Sequence, residues 1–342
     1  MPGEPSAPTW PDLLSQLVQR RDLTRAQCEW AMNAVMSGAA SPVQLAGFLM
    51  ALRTKGESVE EVRGLADQML AHAIRITAPH PSLDIVGTGG DRAHTVNIST
   101  MAAMVCAAAG VPIVKHGNRA ASSSSGSADV LEALGIDLSL PEARVEQIVH
   151  EAGITFCFAQ RFHPSMRHAA PARAGLGVGT VFNFLGPLTN PGQPTYAAVG
   201  VADERMAPIL AGVFAGRGRD AAVLRGDDGL DEATLATTTS VWWVRRGHVV
   251  LHRLDPGRLG LEPAPTEALR GGDAAYNARI VTETFAGARG PIRDAVVLNA
   301  GIALAVAADA DSELHADVRT GMARAAAAID SGAATQVVDR WI

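Results

Sequence analysis

Residues 84–100, DIVGTGGDRAHTVNIST, decide how the rest of the chain is read. Asp84, Ile85 and Val86 end a short apolar run, and Gly87, Gly89 and Gly90 then surround Thr88 ahead of Asp91. Thr95, Asn97, Ser99 and Thr100 lead into the small-residue stretch MAAMVCAAAG. This order of residue types gives a buried strand, a glycine loop and the first turn of a helix. The first-turn N–H groups of such a helix have no partner inside it and point at whatever occupies the loop. The segment is therefore either an anion cradle or a tight strand–helix turn capped by Ser99 or Thr100. It is not a P-loop, because no Gly-Lys-Ser/Thr follows. Nor is it a dinucleotide fingerprint, because Arg92 stands where the third glycine belongs.

The next stretch repeats the logic. In VPIVKHGNRAASSSSGSADV, residues 111–130, a strand ends in Lys115, His116, Asn118 and Arg119, and Ser122, Ser123 and Ser127 precede a helix. Cations, hydroxyls and a helix start within a dozen or so residues suit a phosphate; a solvated turn is the alternative. Farther out, ITFCFA, AAVLRG and GHVVLHRL read as strands, and ARVEQIVHEAG and DAVVLNAGIALAVA as helices. Alternating strands and helices imply right-handed crossovers and a mostly parallel sheet. Ligands of such sheets sit at the carboxyl ends of the strands, where both loops fall.

The N-terminal part has a different rhythm. Residues 1–9 are Pro-rich and read as a disordered tail. Thr24 with Gln27 and Ser58 with Glu61 form capping boxes, Ser41-Pro42 opens another helix, and Gly38 suits a helix end. Val59, Val62, Leu65 and Met69 share one helical face. The expected organisation is a small all-helical domain at 10–77, joined by about 165–190, and a larger α/β domain at 78–164 and 191–342.

Two further stretches carry chemistry. LRGDDGLDEATLATTTS places Asp227, Asp228, Asp231 and Glu232 after a strand. Carboxylates bind Mg²⁺, which commonly bridges to substrate phosphates; a solvated acidic loop is the alternative. FHPSMRHAAPARAGLGVGTVFNFLGPLTNPG holds Arg173, which can clamp a carboxylate or lie on the surface. GLGVG follows no strand and is no dinucleotide loop, and His163 and His168 are badly spaced to share a metal and read as structural. No Gly-x-Ser-x-Gly elbow supports serine hydrolase chemistry.

Composition excludes other classes. The net charge is −6 with no Lys/Arg run, which argues against a nucleic-acid partner. The longest apolar run is too short to span a bilayer, and the N-terminus has no signal-peptide pattern. Cys28, Cys106 and Cys157 are odd in number and far apart, which suits a reducing cytoplasm rather than a disulfide or zinc framework. From the residues alone, the chain reads as a soluble, intracellular α/β enzyme with an Mg²⁺-assisted polyphosphate site.

GTGGD…T.NIST, KHGNR..SS..GSADVLEALG, FNFLGPLTNP and GDDGLDE together resemble the anthranilate phosphoribosyltransferases, over a span from about Trp10 to the C-terminus. The wider fold group includes the pyrimidine nucleoside phosphorylases. The resemblance implies a homodimeric, cytoplasmic enzyme of tryptophan biosynthesis with a helical domain and an α/β domain. It would join anthranilate to 5-phosphoribosyl 1-diphosphate (PRPP), release diphosphate, and use two Mg²⁺ per subunit. Gly87, Gly90, Asp91, Thr95, Asn97, Ile98, Ser99 and Thr100 would then line the PRPP site, completed by Lys115, His116, Gly117, Asn118, Arg119, Ser122, Ser123 and Ser127. Ser99, Asp231 and Glu232 would hold the metals, and Gly87, Asn118 and Arg173 would meet anthranilate. No general acid or base is implied; Asn118, Arg173 and Lys115 would act by positioning. Many members carry VRRELG.RT where this chain has ARAGLGVGT: Arg173 is kept, but Ala174, Gly175 and Gly179 replace larger or charged residues, and Gln160 stands where proline is common. The alternatives are a nucleoside phosphorylase and a related transferase acting on another aromatic amine.

Overall fold

The computed structural model describes residues 7–120, 124–308 and 313–342. Four helices lead: α1 (Trp10–Val18), α2 (Arg25–Met36), α3 (Pro42–Lys55) and α4 (Val59–Ala71). Thr24, Ser41 and Ser58 each accept the N3 backbone N–H, and Gln27, Gln44 and Glu61 bond back to the cap, closing three capping boxes. Thr9 caps α1 by accepting from the Asp12 N–H. Of the expected 1–9 tail, residues 1–6 lie outside the described residues, and Thr9 belongs to the helix start. Leu17, Phe48, Leu52 and Leu65 are buried in this bundle. Glu61 is buried with them, accepting from Lys55 Nζ at 2.9 Å and from the Leu23 N–H at 2.8 Å.

The α/β part follows as β1 (Leu83–Gly87), α5 (Ile98–Ala108), β2 (Ile113–Gly117), α6 (Ser127–Ala133), α7 (Glu142–Ala152) and β3 (Ile154–Phe158). An excursion then forms α8 (Ala159–Phe162), α9 (Ala170–Leu176) and α10 (Phe182–Leu185). The chain completes the sheet with β4 (Tyr196–Gly200), α11 (Ala207–Gly216), β5 (Asp220–Gly226), β6 (Thr239–Arg245) and β7 (His248–Leu254). It ends in α12 (Ala274–Phe285), α13 (Pro291–Ala307), α14 (Leu314–Asp330) and α15 (Ala333–Trp341).

Contacts divide the chain into two compact units: residues up to Ile74 with Gln160–Thr189, and Arg75–Ala159 with Asn190–Ile342. These bounds differ from the 77/78 and 164/165 borders read from sequence, for reasons in the hydrogen bonds. The Thr77 N–H is held by Glu146 of α7, and the Ile74 N–H reaches Phe162 O at 2.9 Å.

In the larger unit the strand order is β3-β2-β1-β4-β5-β6-β7. The first five strands are parallel, and β6 and β7 are antiparallel. The order reverses direction between β1 and β4, which creates the crevice where doubly wound sheets bind ligands. Helices α5 and α13 are almost wholly buried, and their alanines let them pack closely against the sheet and each other. Among the described residues no helix is long and apolar enough to cross a membrane.

Candidate active site

Strands β1 and β4 end in register, Gly87 opposite Gly200. Asp231 crosses both ends. A Cβ on Gly200 would lie 1.6 Å from Asp231 O, and one on Gly87 would lie 2.5 Å from Asp231 Oδ2. The residue that comes close to Gly87 is therefore an acid of the chain itself. Gly89 and Gly90 serve differently, with φ of +70° and +92° and open space where a side chain would stand. This turn aims the Gly89 N–H at Asp231 Oδ2, 2.6 Å away.

Three carboxyl groups crowd under the loop. Asp231 hydrogen-bonds with Asp91, and burial together with that neighbouring charge pushes Asp231 up to about 7. Burial and then Asp231 push Glu232 well above the usual carboxylate range, against the opposing pull of Lys115 and of the Ser99 N–H at the start of α5. Like charges brought this close resist ionisation unless a cation joins them. The carboxylate donors are all oxygen, which suits Mg²⁺. Among the described residues, no three His, Cys, Asp or Glu side chains are already closed around an ion position. Further oxygens would have to come from substrate or water, as is usual for Mg²⁺. The residues present fit the metal on that condition.

The neighbouring acids behave otherwise. Asp227 accepts from the Thr238 hydroxyl, from Ser240 Oγ at 2.9 Å and from Arg253 at 2.7 Å. Asp228 accepts from Thr234 Oγ1 at 2.7 Å, from Thr266 Oγ1 at 3.2 Å and from the Leu230 N–H at 3.2 Å. Both pin the loop in place.

The second loop is more tightly built than its sequence suggests. Lys115 is buried and donates to Ile85 O of β1; burial lowers its pKa, against Asp84 and Glu232, which raise it. In this conformation its ammonium acts on the loop through its field rather than by contact. His116 is buried too, and its N–H bonds Asp84 at 3.3 Å. Gly117 lies against the Phe156 ring, where a Cβ would come within 2.9 Å. Asn118 is exposed, and its carbonyl accepts from the Ala128 N–H at 3.2 Å. Arg119 is clasped by Glu132 at 2.5 Å and Asp129 at 3.0 Å and lies over Phe158. Ser127 Oγ accepts from Thr100 Oγ1 at 3.1 Å, joining this loop to α5. Ser122 and Ser123 lie outside the described residues.

In the smaller unit, Arg173 of α9 is half-buried over the Phe182 ring, 5.3 Å from its centroid. Burial lowers its pKa. No acid among the described residues pairs with it, so its fork is available to an anion. Gly175 and Gly179 have open space where side chains would stand. His163 is structural, held by Thr189 O at 2.9 Å, and the His168 ring packs where a Cβ on Gly38 would stand.

Sequence reasoning missed three residues here. Asp84 and Asn190 are buried partners, with Asn190 Nδ2 donating to Asp84 Oδ2 at 2.8 Å and to Val114 O at 2.7 Å. Asn277 of α12 bonds Asn97. Asp84 shows as a polar residue inside an apolar strand pattern, a signal of burial without a signal of partner, whereas Asn190 lies in the turn sequence LTNPG and Asn277 beside Tyr276.

A small helical unit and a doubly wound unit with an acid-lined glycine loop at the switch point define a glycosyl transferase. Residues 11–73 match the "Glycosyl transferase family, helical bundle domain" and residues 80–335 the "Glycosyl transferase family, a/b domain". Within that class, the chain belongs to the anthranilate phosphoribosyltransferase family. It is 58 % identical to the anthranilate phosphoribosyltransferase of Nocardioides sp. over 98 % of both chains. The Thermus thermophilus enzyme has a crystal structure with TM-score 0.90 and 41 % identity, covering 96 % of this chain and 98 % of that one. The Saccharomyces cerevisiae enzyme in complex with PRPP and Mg superposes with TM-score 0.88 at 28 % identity, covering 97 % and 96 %. The same yeast enzyme in complex with 4-fluoroanthranilate gives TM-score 0.85 at 27 % identity, covering 98 % and 97 %.

Proposed function

We propose that this chain transfers the phosphoribosyl group of PRPP to the amine of anthranilate, releasing diphosphate. The observation that carries the reading is the convergence of Asp91, Asp231 and Glu232 on the glycine loop at the β1/β4 switch point, next to the N-terminus of α5. Ser99, Asp231 and Glu232 would hold two Mg²⁺. When bound, Mg²⁺ neutralises diphosphate charge and makes that group easier to expel.

The loop of Gly87, Gly90, Asp91 and Thr95, with Asn97 through Thr100, meets the diphosphate with backbone N–H groups and hydroxyls. Asn118, Ser122, Ser123 and Ser127 complete the cradle; the buried Lys115 adds its field, and His116, Gly117 and the ion-paired Arg119 shape the loop. As the C1–O bond to diphosphate breaks, positive charge develops on the ribose C1 and ring oxygen; the lone pair of the aromatic nitrogen bonds C1, and the nitrogen then sheds one proton to solvent. An arylamine is largely unprotonated at neutral pH, so no residue has to act as a strong base. By the family resemblance Gly87, Asn118 and Arg173 would meet anthranilate, with the Arg173 fork pairing its carboxylate. Holding the amine in line supplies much of the rate.

The reading includes a cytoplasmic homodimer. Light scattering at micromolar concentration is expected to give twice the chain mass, and a monomer mass would refute the dimer. The function is tested by mixing protein, Mg²⁺ and PRPP with a panel of aminobenzoates and nucleosides and following diphosphate release. Anthranilate is expected to drive release. Release with another aminobenzoate alone, or phosphorolysis of a nucleoside, would overturn the assignment.

A further inference from the structure

The start of α5 has backbone bonds to Asn97 O but no side-chain cap. Asn97 is the N-cap of α5, yet its side chain makes no bond to the α5 backbone. Its carboxamide belongs to a relay instead. The Gly272 N–H donates to Asn277 Oδ1 at 2.9 Å, Asn277 Nδ2 donates to Asn97 Oδ1 at 2.9 Å, and Asn97 Nδ2 donates to Ser125 O at 3.0 Å. The Gly272 N–H can only donate, so it fixes Oδ1 of Asn277, and each amide then orients the next.

Three separate segments meet in this relay. The 269–272 strap runs beside the glycine loop, with Thr95 bridged to Arg270, the Val96 N–H on Leu269 O at 2.9 Å and the Gly271 N–H on His94 O at 2.8 Å. A Cβ on Gly271 would stand 2.8 Å from both Asn277 Oδ1 and Thr95 O, so the strap is pressed onto the amide. The third segment is the serine-rich loop, reached through Ser125. Asn277 itself is only 2 % exposed and is buried on α12 with Ala278, Val281, Thr284 and Phe285. A buried amide adds little net stability over an apolar residue of similar shape. What it supplies is a fixed position for whatever it bonds.

We infer that Asn277 is a positioning residue for PRPP, holding Asn97 and the start of α5 in register with the serine-rich loop. The inference rests on the assignment of PRPP to these two loops. Asn277 touches no substrate and acts through Asn97.

The test is PRPP binding by calorimetry with Mg²⁺ present, alongside steady-state kinetics and melting, for Asn277→Asp and Asn277→Ala. Asn277→Asp keeps the shape but sets a carboxylate against Asn97 Oδ1. Both variants are expected to weaken PRPP binding and raise its KM by about ten- to a hundredfold. The KM for anthranilate should stay within about twofold. Asn97→Asp approaches the relay from its half-buried end, removing the donor to Ser125 O, and should give the same split even if an Asn277 variant folds poorly. Adding Asn277→Ala to Asn97→Ala should cost no further PRPP affinity, because one acts through the other. Variants that melt earlier yet bind PRPP as the wild type does, or losses at 97 and 277 that simply add, would overturn the inference. Wild-type protein that bound no PRPP would instead overturn the assignment beneath it, and this inference with it.

Discussion

Two acid pairs stand close together in one loop and meet opposite fates. Asp227 and Asp228 have every short contact answered by a hydroxyl, an N–H or Arg253. Asp231 and Glu232 press on each other and on Asp91, with backbone N–H groups and the distant Lys115 in opposition. Side-chain chemistry is the same; the supply of donors differs. The arginines repeat the contrast, since Arg253 is spent on Asp227 whereas Arg173 rests on an aromatic ring with no acid partner among the described residues. Charges already answered within the fold build it, and charges left over are available to a ligand.

The strongest way to break this comparison is to remove the leftover acids. Asp231→Ala with Glu232→Ala is expected to cut diphosphate release by roughly a thousandfold or more, because each lost ligand leaves leaving-group charge uncompensated. The melting temperature should hold or rise, since crowded like charges are removed. Wild-type turnover and Mg²⁺ dependence in this double variant would show that the metal is held elsewhere.

Arg173 tests the cationic half. Arg173→Ala is expected to lower kcat/KM for anthranilate by about ten- to a hundredfold, as for the loss of one charge-assisted pair, while the KM for PRPP changes little. Arg173→Lys should also be impaired, because an ammonium lacks the planar fork. An unchanged kcat/KM for anthranilate would place the carboxylate grip on another residue.

Asp84 sharpens the rule by having donors and still being costly to ionise. Burial raises it to about 6 despite Lys115, Asn190 and the His116 N–H. Below its unfolded value, near 3.8, both states are protonated and the group is neutral to stability. Between that value and about 6 the folded state holds more protons, so stability falls as pH rises, by at most about 1.4 kcal/mol per pH unit. Denaturation from pH 4 to 6 should therefore show a steeper decline in the wild type than in Asp84→Asn. Equal slopes would mean that its donors outweigh burial.

The smallest effects belong to the answered acids. Asp227→Ala and Asp228→Ala are each expected to cost roughly 0.5–1.5 kcal/mol of stability, with kcat/KM of the folded enzyme unchanged. A large activity loss at constant stability in either would place that acid in the active site and dissolve the contrast.

Legibility followed the range of each interaction. Capping boxes at Thr24 and Ser58 are contacts over three residues and could be read directly, as could the Ser41-Pro42 helix start, whose box with Gln44 the structure added. Strands β1, β2 and β3 stood out as short apolar runs ahead of glycine or polar loops. β4 is YAAVG, alanine-rich and short, and β6 begins inside a run of threonines, so neither carries a clear alternating signal. Gly87 was legible as part of a glycine loop after a strand, but the group that approaches it, Asp231, lies far along the chain. Lys115 and Arg119 read as loop cations; β-sheet pairing turns the first inward, and two α6 acids, Asp129 and Glu132, take up the second.

By itself the sequence determined the two-part organisation, the strand–loop–helix units and the residue types a phosphate and a divalent cation require. These are local matters of period, turn chemistry and charge. Tertiary structure alone decided which charges remain unanswered. That depends on the strand order that sets β1 beside β4, on the crossing that brings Asp231 over both strand ends, and on the hydroxyls and N–H groups that long-range folding delivers to one acid pair and withholds from the other.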